Sequence, residues 1–331
     1  MKLISVVTPA YNESECVDEL SRRLGLVFDS LRDRYEFEVI VVENGSVDTT
    51  YEKLLAIHQR DPRFKIVRLS RNFGIEGAFT AGMRRARGEA AILMCADLQD
   101  PPEVLPRFIE LWEEGYENIY GVITRRNDES RVRQFLTKIF YWLMDAVSDV
   151  KIPRNASDFR LVDRHAYEAY NSMTEHKRLT RAMYAWLGFK SIGVEHERPP
   201  RFGGKSTYHL LGNIRFALDG IMSSSVAPLR IIPLFGLTLS ALSFLGVCVG
   251  AVIWFGYGVP FAGFGSIMGL ILLMFGLLFF FLGLLSEYVG MIYLEVRARP
   301  NFVLRAVHGF DDEVPLRRPD VTPGNGAYVK R

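Results

Sequence analysis

Asp97, Gln99 and Asp100 lie just beyond the apolar run Ala90 to Met94, after Cys95-Ala96, and Asp100 stands directly before Pro101-Pro102. Their oxygens are hard ligands, the kind that Mg²⁺ or Mn²⁺ takes when it also holds a diphosphate. The same residues also make an ordinary Asp-Pro turn closing a strand, and on this stretch alone both readings stand. Upstream, Glu43-Asn44-Gly45-Ser46 and Ser70-Arg71-Asn72-Phe73-Gly74 each follow an apolar run. They can turn backbone N–H groups, short side chains and one cation toward a nucleotide, although Asn-Gly is also the usual material of a tight turn. Asp158-Phe159-Arg160-Leu161 sets a carboxylate beside an arginine, most often an ion pair. Finally, Pro199 to Ser206 gathers Arg201, Lys205, Ser206 and paired glycines shortly before a long apolar segment. That composition suits a phosphate arriving from a lipid, or simply attraction to an anionic bilayer surface.

The elements that must carry these groups alternate. Leu3 to Thr8 is β-branched and apolar and ends in Pro9-Ala10-Tyr11-Asn12-Glu13. Val17, Leu20, Leu24, Val27 and Leu31 then recur at helical spacing. Strands are expected again at Val39 to Val42, Ile66 to Leu69, Ala90 to Met94 and Ile119 to Val122, with a helix between each pair and a cap near Asp48 or Thr49. Strands alternating with helices predict an α/β fold, a doubly wound and mostly parallel sheet whose polar loops share one edge. In such sheets ligands bind outside the carboxyl ends of the strands. Between Arg131 and Val147, Val132, Phe135, Leu136, Ile139, Phe140, Leu143, Met144 and Val147 form one apolar stripe. It reads as a helix packed on the sheet or as one lying in the bilayer surface, with Tyr141 and Trp142 beside it.

The 331 residues carry a net charge of only +2, which gives no indication of nucleic acid as a partner. Cys16, Cys95 and Cys248 are too few and scattered for a disulfide framework or a zinc site, as expected in a reduced cytosol. Met1 to Pro9 has no secretion signal. Ile231 to Ser286 contains no Asp, Glu, Lys, Arg or His, room for two membrane helices. They are expected near 232–255 and 266–288, and Arg230, Arg297 and Arg299 place both flanks in the cytoplasm. The expected plan is therefore a cytoplasmic catalytic domain over 1–229, with interface helices at about 130–147 and 207–224. A membrane pair over 230–290 and a cytoplasmic tail over 291–331 follow. Gly276, Gly283 and Gly290 permit close helix contacts and so a homo-oligomer.

Taken in order, T-P-A-Y-N-E (Thr8 to Glu13), S-R-N-F-G (Ser70 to Gly74), D-L-Q-D-P-P-E (Asp97 to Glu103), S-D-F-R-L (Ser157 to Leu161) and R-F-x-G-K-S-x-Y (Arg201 to Tyr208) form a pattern. S-E-Y-x-G (Ser286 to Gly290) and V-R-A-R-P (Val296 to Pro300) complete it. From about Leu3 to Pro300 the chain resembles the membrane-anchored polyprenyl-phosphate glycosyltransferases of glycosyltransferase family 2. Its layout is nearest the bactoprenol glucosyltransferases and more distant from dolichol-phosphate mannose synthase.

The resemblance implies a GT-A catalytic domain and inverting transfer of a sugar onto undecaprenyl or another polyprenyl phosphate at the cytoplasmic membrane face, for cell-envelope glycan modification. Glucose from UDP-glucose is the first expectation, another UDP-hexose such as UDP-GlcNAc the next. It implies Mg²⁺ or Mn²⁺ on Asp97 and Gln99, with Asp158, as base or orienting carboxylate near the acceptor phosphate, and Asp97 as the catalytic residues. The donor nucleotide would lie against Pro9, Tyr11, Asn12, Glu13, Glu43, Asn44, Gly45, Ser46, Arg71, Asn72, Gly74, Ala96 and Asp97. The acceptor phosphate would meet Arg125, Arg131, Arg201, Lys205 and Ser206. A flippase and an extracytoplasmic glycosyltransferase are implied as functional partners. Two positions depart from the family: Cys95 stands where the first Asp of a D-x-D is usual, and Asn44 where an Asp is usual. The other reading is a member impaired in catalysis that serves as a lipid-phosphate-binding or assembly partner. A processive synthase is disfavoured, because Arg181 to Trp186 does not form Q-x-x-R-W.

Overall fold

A computed structural model describes residues 1–124, 156–176, 178–199 and 264–310, with Phe202 and isolated helical positions between 238 and 256. One mixed sheet organises the described part. Its eight strands are β1 (Lys2–Ala10), β2 (Tyr35–Glu43), β3 (Phe64–Leu69), β4 (Ala90–Leu93), β5 (Asn118–Ile123), β6 (Ala156–Asp163), β7 (Ser191–His196) and β8 (Leu304–His308), in the spatial order β7-β5-β6-β4-β1-β2-β3-β8. The pairs β1–β2, β1–β4, β2–β3 and β5–β7 are parallel. The pairs β4–β6, β5–β6 and β3–β8 are antiparallel. The sheet is therefore more mixed than the alternating pattern alone predicts, because β6 and β8 enter from the opposite direction.

Helices cover both faces: α1 (Val17–Leu31), α2 (Thr50–Arg60), α3 (Gly74–Met83), α4 (Leu105–Glu113), α5 (Arg164–Ser172) and α6 (Thr180–Leu187). On one face, Val17, Leu20, Leu24 and Phe28 of α1 and Phe108 of α4 pack on Ile4, Val39, Val41 and Ile92. On the other, Phe79 of α3 and Tyr167 and Tyr170 of α5 pack on Val7, Ile40, Leu93 and Val162. The central strands are apolar on both sides because both sides are covered, which is why they read as continuous hydrophobic runs. Burial of this kind contributes about 1.5–3 kcal/mol for each large apolar side chain.

Helix α7 (Phe264–Arg297) is 34 residues long, roughly 51 Å at 1.5 Å per residue and well beyond the ~30 Å of a bilayer core. Its stretch Leu273–Arg297 is the one helix among the described residues long and apolar enough to cross a membrane. The helix expected over 266–288 is thus present and runs past Glu287 and Glu295 to Arg297. The expected span 232–255 falls mostly outside the described residues, as do the interface helices over 130–147 and 207–224. After α7 the chain does not remain a tail: Phe302 is buried beside α3, the Val303 carbonyl accepts the Ser70 N–H at 2.9 Å, and β8 pairs with β3. The last turn of α7 is tied down as well, with Glu295 accepting the His176 N–H at 2.8 Å.

Candidate active site

The strand directions decide which polar groups meet. Parallel β1, β2, β3 and β4 end at one edge, so Tyr11 to Glu13, Asn44 to Ser46, Arg71 to Gly74 and Cys95 to Asp100 emerge there together. Antiparallel β6 begins at that edge, and with Leu93 opposite Arg160 the register carries Asp158 alongside Cys95. Parallel β7 finishes there too, which brings Arg198 to the same place.

The first loops are knitted to one another. Ser46 Oγ accepts the Asn12 N–H at 3.1 Å, and Asn12 Oδ1 accepts the Val47 N–H at 2.9 Å. Glu13 N–H donates to Thr50 Oγ1 at 2.9 Å, and Asp48 Oδ1 accepts the Thr50 N–H at 3.0 Å, closing the start of α2 as expected. Glu43 is fully buried and held by Arg68 Nε at 3.0 Å, so its carboxylate serves the sheet edge. Asn44, only 3% exposed, accepts the Phe73 N–H at 2.9 Å through Oδ1 and donates through Nδ2 to Gly74 O at 3.0 Å and Asn72 Oδ1 at 3.2 Å. The Phe73 N–H fixes which end of the amide is the oxygen, so Nδ2 must face two acceptors. An Asp here could not supply those two donors, which gives the departure at this position a physical reason. Gly45 has φ +73°, and a Cβ on it would lie 2.6 Å from the Arg71 carbonyl carbon, so only glycine lets the two loops approach this closely. Arg71 stacks over Phe73 at 4.0 Å and lies at the surface. Pro9 and Ala96 are backbone positions of this edge, Ala96 fully buried.

The acidic cluster sits next to these loops. Asp97 is 6% exposed and its Oδ1 accepts the Gln99 N–H at 3.1 Å, around a Leu98 held at φ +60°. Asp100 is buried, accepts the Cys95 N–H at 3.0 Å, and is pushed up to about 6 mainly by burial. Burial, with Asp100, Asp97 and Asp158 close by, drives the Cys95 thiol well above its ordinary value, so it stays neutral. Among the described residues no group of three or more His, Cys, Asp or Glu converges on a metal position. The oxygens of Asp97 and Gln99 nevertheless fit a hard cation that keeps water and phosphate oxygens as its other ligands. A neutral thiol adds nothing to such a set.

Asp158 lies against a residue that sequence reasoning did not connect to it. Arg181 Nε and Nη2 reach its two oxygens at 2.8 and 2.9 Å, and Arg181 Nη1 donates to Ala156 O at 3.3 Å. Burial pushes the carboxyl up, but the Arg181 charge and this paired contact outweigh it and hold Asp158 below the usual carboxylate range. Arg160 is buried, with its guanidinium 5.0 Å over Tyr184 and Nη2 donating to Ser157 O at 3.1 Å. Glu76, from α3, reaches the first turn of α6 by accepting the Thr180 N–H at 3.2 and 3.3 Å. Burial and then the Asp158 charge raise the Glu76 carboxyl. The Nε of Arg198 is buried without a hydrogen-bond partner among the described residues. Arg125, Arg131, Arg201, Lys205 and Ser206 lie outside the described residues. Arg181 and Arg198 reach the edge through the antiparallel β6 and the end strand β7, and Glu76, though it follows parallel β3, is joined to the site only by its contact with Thr180, so no short-range spacing encodes them.

Residues 5–170 match the family described as Glycosyl transferase family 2. An uncharacterized glycosyltransferase of Synechocystis sp. is 37% identical over 317 residues, covering 95% of this chain and 98% of that protein. The uncharacterized glycosyltransferase YkcC of Bacillus subtilis is 35% identical over 309 residues, covering 93% of this chain and 95% of its own. The bactoprenol glucosyl transferase of Shigella phage SfII is 33% identical over 305 residues, covering 92% and 98% respectively.

Proposed function

The chain belongs to glycosyl transferase family 2 and is a transferase, and from that premise we propose that it moves a sugar from a nucleotide donor onto a polyprenyl phosphate at a membrane surface. One observation carries the reading. The nucleotide-side loops and the two acids Asp97 and Asp158 share one sheet edge, in a chain whose apolar helix α7 is latched to that same sheet through Phe302 and β8. The likeness to a bactoprenol glucosyl transferase over nearly the whole chain supports the lipid as acceptor and glucose as sugar. UDP-glucose is the first donor, and UDP-GlcNAc or another UDP-hexose the next. The two membrane helices of the proposed plan span about 232–255 and the apolar part of α7, with the catalytic domain cytoplasmic. A homo-oligomer, a flippase and an extracytoplasmic glycosyltransferase belong to the same proposal.

A phosphate monoester is already an anion near neutral pH, so the task of the protein is placement and charge control more than proton removal. Asp158, kept ionised by Arg181, orients the acceptor side and fixes the cations around the incoming phosphate. Arg198 has a donor to spare at the same edge, and Arg125, Arg131, Arg201, Lys205 and Ser206 are assigned to the acceptor phosphate. Asn12, Ser46, Arg71 and Asn72 line the donor side, where Asn44 and Gly45 keep two loops in contact. Asp97 and Gln99 would hold a divalent cation, which when bound would supply neutralisation of charge on the nucleoside diphosphate. The test is incubation of the full chain in detergent with undecaprenyl phosphate and labelled UDP-, GDP- and dTDP-sugars. Transfer from a UDP-hexose is expected. Lipid binding without transfer from any donor would favour the reading as a lipid-phosphate-binding partner, which Cys95 and Asn44 motivate.

A further inference from the structure

Helix α6 begins without a cap of its own. Its N-cap is Leu179, whose side chain has no oxygen, so the first backbone N–H groups need an outside acceptor. That acceptor is Glu76, 104 residues earlier in the chain, which takes the Thr180 N–H at 3.2 and 3.3 Å and the Thr180 hydroxyl as well. The very next residue in the same turn is Arg181, whose planar fork holds both oxygens of Asp158 at 2.8 and 2.9 Å. Glu76 itself lies in the first turn of α3, close behind Phe73 and Gly74, which bond Asn44.

We propose that Glu76 is a positioning residue for Asp158, acting through the first turn of α6, and that it ties the nucleotide-side loop to the acceptor-side carboxylate. The inference rests on the glycosyl-transfer reading for its consequence, though not for its geometry. A bidentate arginine constrains both the distance and the plane of the carboxylate it grips. The position of Asp158 therefore follows the position of the turn that carries Arg181. Thr180 Oγ1 has one further neighbour, Tyr170 OH at 3.3 Å, and the rest of α6 has attachments of its own: Tyr184 stacks on Tyr170 at 5.0 Å, and Met183 packs into the core. Removing Glu76 should thus release the first turn without detaching the helix. Burial and the neighbouring Asp158 raise the Glu76 carboxyl to about 7, so near neutral pH the neutral acid is well populated and glutamine, which keeps an acceptor oxygen, is a close replacement.

The test measures transfer by the full chain with UDP-glucose and undecaprenyl phosphate as probes, for Glu76→Ala, Glu76→Gln, Arg181→Ala and the Glu76→Ala/Arg181→Ala double variant. A displacement of about 1 Å at a reacting centre costs on the order of 100-fold, so Glu76→Ala should lower kcat by about that factor while KM for UDP-glucose stays within about 3-fold. Glu76→Gln should recover most of the rate, and the double variant should be no slower than Arg181→Ala alone, because both lie on one path to Asp158. Losses that multiply in the double variant, or a rise in KM with kcat intact, would overturn the proposal. Should Glu76→Ala misfold, Thr180→Val keeps the N–H contact with Glu76 and removes the hydroxyl contacts with Glu76 and Tyr170, and its smaller kcat loss must likewise vanish on top of Arg181→Ala. A crystal structure of Glu76→Ala decides the geometry without turnover. Arg181 released from Asp158 is expected, and an unchanged pair refutes the role even if the wild type is inert with these probes.

Discussion

Asn44→Asp introduces the residue type that the family resemblance leads one to expect at this position, and the structure nevertheless predicts harm from it. Asn44 is 3% exposed, and its Nδ2 donates to Gly74 O at 3.0 Å and to Asn72 Oδ1 at 3.2 Å. A carboxylate would turn an acceptor toward both oxygens while keeping only the Phe73 N–H. A buried polar group left unsatisfied costs about 1–3 kcal/mol. Two such groups, relieved in part when the new acid takes up a proton, amount to about 2–4 kcal/mol. For a domain of this size that is a fall of roughly 5 to 15 °C in Tm. The assay is thermal unfolding of the full chain in detergent at pH 7.5 and pH 5.5, with UDP binding measured alongside. A lower Tm at pH 7.5, smaller at pH 5.5 where the acid protonates and can donate once, is expected. An unchanged Tm with tighter UDP binding would refute the assignment of Asn44 as a joint between loops.

Further expectations concern the acids. Asp158 sits below the ordinary carboxylate range in the folded protein, so its contribution to stability is present above the unfolded pKa and is lost as pH falls through the folded one. Arg181→Ala removes the partner that holds it there, and the acid limb of the pH–rate profile should move to higher pH; an unmoved limb would mean that Asp158 does not titrate in that limb. Asp100 is raised to about 6, so charging it on folding costs stability as pH rises from ~4 to ~6, at most about 3 kcal/mol. Asp100→Asn, assayed in chelator, should therefore stabilise the protein at pH 7.5 and lose that advantage at pH 4.5, whereas a gap independent of pH would count against a buried charge there. Cys95→Asp adds a carboxylate beside Asp97, Asp100 and Asp158. It should lower Tm in EDTA, recover with Mn²⁺ and remain active, and identical Tm values in EDTA and Mn²⁺ would contradict a cation at Asp97 and Gln99.

Much of the frame was legible because local chemistry matched global burial. The runs at Leu3 to Thr8, Val39 to Val42, Ile66 to Leu69, Ala90 to Met94 and Ile119 to Val122 all lie in or overlap β1 to β5, and α1 buries Val17, Leu20, Leu24 and Val27 as its spacing predicts. Strand β6 was not legible, because Ser157, Asp158 and Arg160 break its apolar pattern. Apart from the local bond of Arg160 to Ser157 O, those polar groups meet partners far along the chain, namely the Gly121 carbonyl, Arg181 and the ring of Tyr184. Strand β7 lies at the end of the sheet order with an alternating exposure that is hard to tell from a loop. Strand β8 is short and only weakly alternating, and its place is set by antiparallel pairing with β3, more than 200 residues earlier in the chain. At the candidate site, loop chemistry singles out Asn12, Asn44, Gly45, Arg71 and Asp97, which the structure brings to one sheet edge. Glu76 and Arg181 are not singled out, because contacts spanning 104 and 23 residues leave no spacing to read, and Arg198 is brought there only by the pairing of β7 with β5.

The most direct measurement follows the lipid itself. Full-length protein in detergent, given undecaprenyl phosphate and UDP-glucose, is sampled by mass spectrometry for the lipid phosphate carrying one added hexose, beside the Asp158→Asn variant. The expected result is a time-dependent hexosyl-phosphate lipid from the wild type and a rate lower by orders of magnitude from Asp158→Asn, with both proteins folded. Equal product from the two would show that Asp158 is not at the reacting centre. If no lipid-linked hexose forms from UDP-glucose or any other nucleotide sugar while the lipid still binds, the glycosyl-transfer reading is contradicted.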